Sequence, residues 1–390
     1  MKFGVLKPAA ALAAFLALSL SACQDSGLSQ RALAPVPPET LARMEQIGTS
    51  KEAPMLIRAY KKEAEFEIWK MNGEGKYVHL KTFPMCRWSG QLGPKTREGD
   101  RQVPEGFYAI TPAQMNPNSS YYLSFNVGYP NQLDRALGHS GGTIMVHGAC
   151  SSAGCFSMTD AQIAEIYAIA RSSFNGGQRA IQMQSYPFRM TAENLAKHRL
   201  DPNICFWKNL KEGSDHFDVT KEEPQVAFCG RRYVFNAQGS GHMDAASACP
   251  PLRQDPDLVA SVSAKSSKDE EKIAELSQSV KPVRVVYQDG GMHPSFMSRV
   301  AETSRPEALA APVEIALEDK PVRAAAKGSQ LASKSPVVTM AAAKAAAQSK
   351  EAATTSSIAQ SLAPDERREM SALAPDDNPV ATIKRATAKK

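Results

Sequence analysis

Residues 144–160 read IMVHGACSSAGCFSMTD, and the rest of the chain is organised around them. An apolar run ends in His147, and Cys155 follows directly after Gly154. A helix pattern opens at Thr159. A strand that delivers a base to a loop holding a thiol is what cysteine acyl transfer needs. The thiolate is the reactive form, and a nearby imidazole or helix start lowers a thiol pKa. Gly148 and Gly154 allow close backbone approach. The N–H groups of the Gly154–Cys155 turn are candidate donors to an oxyanion. Spacing alone leaves alternatives open. Cys150 and Cys155 fit a disulfide or two packed thiols as well as they fit a reactive site. A zinc site from His147, Cys150 and Cys155 lacks the usual paired C-x-x-C spacing.

Upstream, short strands are expected at 56–60, 66–69, 77–83, 107–111 and 121–127. Turn signals such as Asn72-Gly73 and Gly93-Pro94 separate them. Gly141-Gly142 opens the strand that carries His147. Downstream, Thr159 and Gln162 fit a capping box, and Ile163, Ile166, Tyr167 and Ala170 fall on one helical face. A strand at 180–185 and a capped helix from Thr191 follow. Many short strands with few helices define a mainly β, sandwich- or barrel-like domain.

The two ends of the chain read differently. Lys2, Lys7 and an apolar run over 9–20 make an export signal too short to span a membrane. It ends Leu20-Ser21-Ala22-Cys23, which resembles a bacterial lipobox and makes Cys23 the expected lipidation site. Residues 24–54 are expected to be a Pro-containing tether. Export permits disulfides among the seven cysteines. With Cys23 set aside for lipidation six remain, so if one thiol stays free for catalysis at least one other is also unpaired. The last aromatic is Phe296, and from about 246 the chain turns rich in Ala, Lys, Ser and Pro. That composition is expected to leave 246–390 as a disordered tail. The net charge of +6 tolerates acidic partners without selecting one. No basic stretch interleaved with aromatics points to nucleic acid.

Several motifs, taken together, resemble one family. Val146-His147-Gly148 with Ser152-Ala153-Gly154-Cys155 is similar to the active-site signature of the YkuD-type L,D-transpeptidases. Val103-Pro104-Glu105-Gly106-Phe107-Tyr108 resembles a strand motif of that family. Ser89-Gly90-Gln91-Leu92-Gly93-Pro94-Lys95, Arg97-Glu98-Gly99-Asp100, Ser119-Ser120-Tyr121-Tyr122 and Tyr129-Pro130-Asn131 resemble its YafK-like branch. The resemblance implies a catalytic domain over 55–188 with an extension over 189–245. It implies Cys155 as nucleophile attacking the L-centre carbonyl of diaminopimelate in a peptidoglycan stem. His147 would be the base and Gly154 an oxyanion donor. Lys95, Arg97, Arg135, Tyr122 and Ser157 are the candidates for holding substrate.

The signature histidine is replaced by Ala153, and Ser157 stands where Arg or Asn is usual. Those departures leave the acyl acceptor open between an amine and water. Transpeptidation is the expected activity. The alternatives are a hydrolase that releases D-Ala or wall-attached lipoprotein, and a non-catalytic wall-binding lipoprotein. No cofactor and no metal are implied. The expected partners are peptidoglycan, wall-attached lipoprotein and, through the N-terminal lipid, a membrane facing the periplasm.

Overall fold

The computed structural model describes residues 30–318. The expected export signal, Cys23 and the chain from 319 onward lie outside the described residues. In chain order the elements before the site are α1 (Pro38–Gln46), β1 (Met55–Tyr60), β2 (Glu65–Met71), β3 (Tyr77–Pro84), β4 (Arg87–Trp88), β5 (Gly106–Ile110), β6 (Met115–Asn116), β7 (Ser124–Asn126) and α2 (Gln132–Ala136). The site and its supports follow in β8 (Met145–His147), β9 (Phe156–Ser157), α3 (Asp160–Asn175) and β10 (Ile181–Tyr186). Next come α4 (Ala192–Lys197), α5 (Ile204–Thr220), β11 (Val226–Cys229), β12 (Arg232–Phe235), β13 (Ala237–Gly239) and β14 (Leu252–Gln254). The last described elements are α6 (Pro256–Ser277), β15 (Val283–Val286) and β16 (Val313–Ala316), with short 3-10 helices between β15 and β16.

Two five-stranded sheets organise these parts, in the orders β3-β2-β1-β10-β5 and β4-β9-β8-β7-β6. The first is antiparallel except where β1 and β10 run side by side. The second is antiparallel except for β8 and β9, which pair in parallel with Val146 beside Phe156 and His147 beside Ser157. The mainly β fold class read from the sequence is therefore the observed one. The two sheets share one hydrophobic core, to which α3 contributes Ile163, Ile166 and Ile169. Burying each of those isoleucines contributes about 2 kcal/mol. The start of α3 is fixed as its sequence dictates. Gln162 N–H donates to Thr159 Oγ1 at 3.2 Å, and Thr159 N–H donates to Gln162 Oε1 at 2.9 Å.

Two boundaries differ from expectation. Within 30–54 the chain is packed rather than a free spacer: Ala32, Val36 and Met44 are buried in the common core. Arg171 of α3 donates to the carbonyls of Ala32 and Ala34. The prolines hold this segment extended, which turns Val36 inward while leaving its carbonyls available. At the other end, the expected disordered tail from 246 carries ordered elements as far as Ala316. Helix α6 has no fully buried residue; its half-buried Ile273 packs against the common core, and charge pairs add to the dock. Lys211 of α5 pairs with Asp269 at 2.6 Å, and Lys265 pairs with Asp215 at 2.8 Å. Asp255 caps the helix through the N–H groups of Asp257 and Leu258.

Candidate active site

The parallel β8–β9 pair sets the backbone of the two candidate residues on neighbouring stretches: His147 ends β8, and Cys155 directly precedes β9. Register partners share a sheet face. Ser157 lies beside His147. Cys155 lies in the bend directly before β9, two positions before Ser157. One step back along the pair, Met145 N–H donates to Cys155 Sγ at 3.4 Å. The strand β9 separates Cys155 from α3, which opens at its N-cap Thr159 as the sequence pattern implied.

Cys155 is a free thiol, half-buried. Cys150 is bonded instead to Cys86, and Cys229 to Cys249. This pairing removes a Cys150–Cys155 bridge and also removes Cys150 as a zinc ligand. Cys205 is the second unpaired cysteine among the described residues, and it is exposed. Burial pushes the Cys155 thiol above its ordinary pKa, while the Met145 N–H and the charge of Lys95 pull it partly back.

His147 is buried at 4% exposure. Its Nδ1 lies 2.7 Å from the Gly148 carbonyl oxygen. A carbonyl can only accept, so Nδ1 carries the proton and Nε2 of the neutral ring is the basic lone pair. Burial pushes the His147 pKa below 6.5, and the bond to Gly148 offsets part of that. At neutral pH the pair therefore rests as neutral thiol and neutral imidazole. Ser157 Oγ donates to the same Gly148 carbonyl at 3.3 Å. Gly148 is required here: a Cβ would meet Asp160 Oδ1 at 2.5 Å and the Tyr121 carbonyl at 3.0 Å. The Tyr121 ring lies 4.7 Å from the imidazole, tilted by 36°, with 49% of the residue exposed. It forms the solvent-side wall of the site.

The loop before Cys155 is tied through Ser152. Ser152 Oγ accepts from Cys155 N–H at 3.1 Å and from Gly154 N–H at 3.4 Å. It donates to the Cys155 carbonyl at 2.7 Å and accepts from Ser89 Oγ at 2.6 Å. The Gly154 N–H, expected to face an oxyanion, is thus turned to Ser152 in this state. Forming an oxyanion hole from that turn requires the substrate oxygen to displace a hydroxyl.

The expected substrate-holding residues scatter. Lys95 is 4% exposed, ion-paired with Asp100 and bonded to the Arg97 carbonyl at 2.8 Å. It acts on the site through its field alone. Arg97 is exposed on the same loop. Arg135 lines a different groove of about 430 Å³ with Phe107, Gln182 and Glu223, bordered by no residue of 144–160. Tyr122 turns away from His147, and its ring lies under the Arg31 guanidinium at 5.1 Å. Ser157 is fully buried and supports Gly148 rather than facing solvent. Tyr121, a position of the Ser119-Ser120-Tyr121-Tyr122 motif, does border His147, whereas Arg101, which sequence reasoning misses because it lies outside every such motif, holds the loop before Cys155. Arg101 Nη2 donates to the Ser152 carbonyl at 3.0 Å.

A mainly β domain with a free cysteine beside a strand-borne histidine defines a class, and the family comparison agrees with it. The model of the YkuD family, the L,D-transpeptidase catalytic domain, matches residues 61–176. The chain belongs to this family. It is accordingly an enzyme of the L,D-transpeptidase class, whose members act on peptidoglycan. Among individual proteins, the Escherichia coli K12 protein named "Putative L,D-transpeptidase YafK" is 40% identical over 182 residues, which cover 47% of this chain and 74% of that protein. The counterpart in Escherichia coli O157:H7 gives the same 40% identity over 182 residues. Among solved structures, the helical cell shape determining protein Pgp2 from Campylobacter jejuni aligns with 63% of this chain and 80% of its own, at 15% identity and a TM-score of 0.29. Bd1075 from Bdellovibrio bacteriovorus aligns with 45% of this chain and 76% of its own, at 12% identity and a TM-score of 0.24.

Proposed function

We propose that the protein performs cysteine-dependent acyl transfer on peptidoglycan stem peptides, with Cys155 as nucleophile and His147 as base. The supporting observation is the pair itself. A half-buried free thiol directly precedes the strand that pairs with β8, and the imidazole at the end of β8 has its Nδ1 committed to Gly148, which leaves Nε2 as the basic nitrogen. Because the thiol rests protonated, its proton moves to His147 as sulfur attacks the diaminopimelate L-centre carbonyl. The C–N bond to the terminal D-residue then breaks, and His147 returns the proton to the departing amine. The thioester passes to an amine, making a cross-link or a protein anchor, or to water.

Transfer to an amine is the primary reading because the chain belongs to the L,D-transpeptidase family. An N-terminal lipid on Cys23 would hold the enzyme at the envelope, facing the periplasm. Purified protein incubated with tetrapeptide-bearing wall fragments tests the chemistry. Free D-Ala together with a new cross-link supports transfer, and D-Ala without a cross-link, or release of attached protein, supports hydrolysis. If Cys155→Ala leaves every product unchanged, the cysteine mechanism is wrong and a wall-binding role replaces it.

A further inference from the structure

We propose that residues 287–305 form a clamp on the nucleophile loop, with Asp289 as a positioning residue acting through Arg101 and Ser152 on Cys155. The inference rests on the cysteine chemistry proposed above. The segment adds itself to the free edge of β4. Trp88 and Gly291 exchange two backbone hydrogen bonds at 2.9 and 3.1 Å, and His293 N–H donates to the Met85 carbonyl at 2.9 Å. The Tyr287 ring meets Trp88 edge-on at 5.0 Å. The contact is tight enough to demand glycine: Gly290 has φ +74°, and a Cβ there would lie 2.0 Å from the Trp88 carbonyl oxygen. The other edge of β4 pairs with β9, the strand that begins directly after Cys155.

From this edge Asp289 reaches inward. Its carboxylate is buried and receives three guanidinium groups: Arg101 at 2.7 Å, Arg305 at 3.0 Å and Arg87 at 3.1 Å. Three cations repel one another unless the carboxylate lies between them, so Asp289 sets where each sits. Arg101 uses the same Nη2 to hold the Ser152 carbonyl at 3.0 Å. Ser304 Oγ accepts the Ser152 N–H at 3.1 Å. Ser304 of the segment therefore grips the Ser152 N–H directly, and Asp289 grips the Ser152 carbonyl through Arg101, while the Ser152 hydroxyl grips the N–H and carbonyl of Cys155. Neither Asp289 nor Ser304 is bonded to the thiol, so their influence runs through the backbone that carries it.

The test measures kcat, KM and melting temperature on wall fragments for the full-length wild type, Asp289→Asn, Asp289→Glu and Ser304→Ala. Alkylation of Cys155 by iodoacetamide is followed in parallel. Misplacing a reacting atom by a fraction of an ångström lowers kcat about tenfold or more. Asp289→Asn is expected to show that loss with KM within about twofold, because no substrate contact is removed. Asp289→Glu is expected to recover part of it. Ser304→Ala is expected to lower kcat and speed alkylation at an unchanged melting temperature. Wild-type inactivity on wall fragments would refute the acyl-transfer reading, and the clamp would still be read from the alkylation rates. Wild-type kcat and alkylation rates in Asp289→Asn and Ser304→Ala would overturn the clamp. So would a folded Ser304→Ala of wild-type activity alongside an Asp289→Asn that fails to fold.

Discussion

Removing the Cys86–Cys150 disulfide by the double substitution Cys86→Ala, Cys150→Ala perturbs stability and the catalytic loop together. The bridge joins residues 64 apart in sequence. Opening a loop of that length restores unfolded-chain entropy worth about 4 kcal/mol. A loss of that size lowers the melting temperature of a domain this large by about 10 °C. The local effect is specific to this bridge, because Cys150 lies in the loop between His147 and Cys155. Ala149 and Cys150 have φ of +64° and +47°, a left-handed conformation that costs non-glycine residues about 1–2 kcal/mol each. The bridge helps hold them there, so its removal lets the loop relax and moves Cys155. The Cys229–Cys249 bridge, with a separation of 20, is the control. Its removal is worth about 3 kcal/mol by the same relation but lies outside 144–160. Urea titration and turnover on wall fragments, measured on both double variants, separate the two effects. The account expects both to lose stability and only Cys86→Ala, Cys150→Ala to lose turnover as well. Wild-type turnover in that variant, after subtraction of any unfolded fraction, would refute the reasoning.

Three further outcomes follow from the same contacts. Buried His198, stacked on Phe188 at 4.8 Å, has its pKa pushed down to about 4 by burial, with Lys62 and Lys197 adding to the shift. The unfolded chain then takes up this proton more readily than the folded one, so stability falls as pH drops from 6.5 towards 4. The loss approaches about 3 kcal/mol, and denaturation against pH should show the slope shrinking in His198→Phe. Glu105→Gln leaves the fully buried Lys61 ammonium without its carboxylate at 2.9 Å and should cost about 3–5 kcal/mol in urea titration, most of it recovered by adding Lys61→Met. Tyr121→Ala opens His147 to water, so the depression of its pKa by burial should lessen and the acid limb of the pH–rate profile should move up; an unmoved limb would remove Tyr121 from the site.

Much of this architecture is legible in the chain because local signals and packing agree there. The strand β1, the Thr159–Gln162 capping box and the buried stripe of α3 each follow from residue pattern alone. The packing of α6 was hidden for a physical reason. Its dock draws on Lys211, Asp215, Lys265 and Asp269, and charged residues at helical spacing look the same on a solvated helix as on a paired one. The clamp was hidden by distance, since nothing local marks Asp289 as the partner of Arg101, 188 positions earlier. At the site, His147 and Cys155 were legible because strand, glycine and thiol fall in one stretch. The substrate-facing cations were not. Lys95 and Arg101 flank Asp100 in sequence, yet Lys95 is spent on Asp100 while Arg101 reaches the Ser152 carbonyl.

The most direct measurement is intact-mass and peptide-mapping spectrometry of the protein trapped during turnover of tetrapeptide wall fragments. The account predicts one acyl adduct on Cys155, absent in Cys155→Ala and formed at least about a hundredfold more slowly in His147→Asn. An adduct on Cys205 in its place, or full acylation of Cys155 in His147→Asn at the wild-type rate, would contradict it.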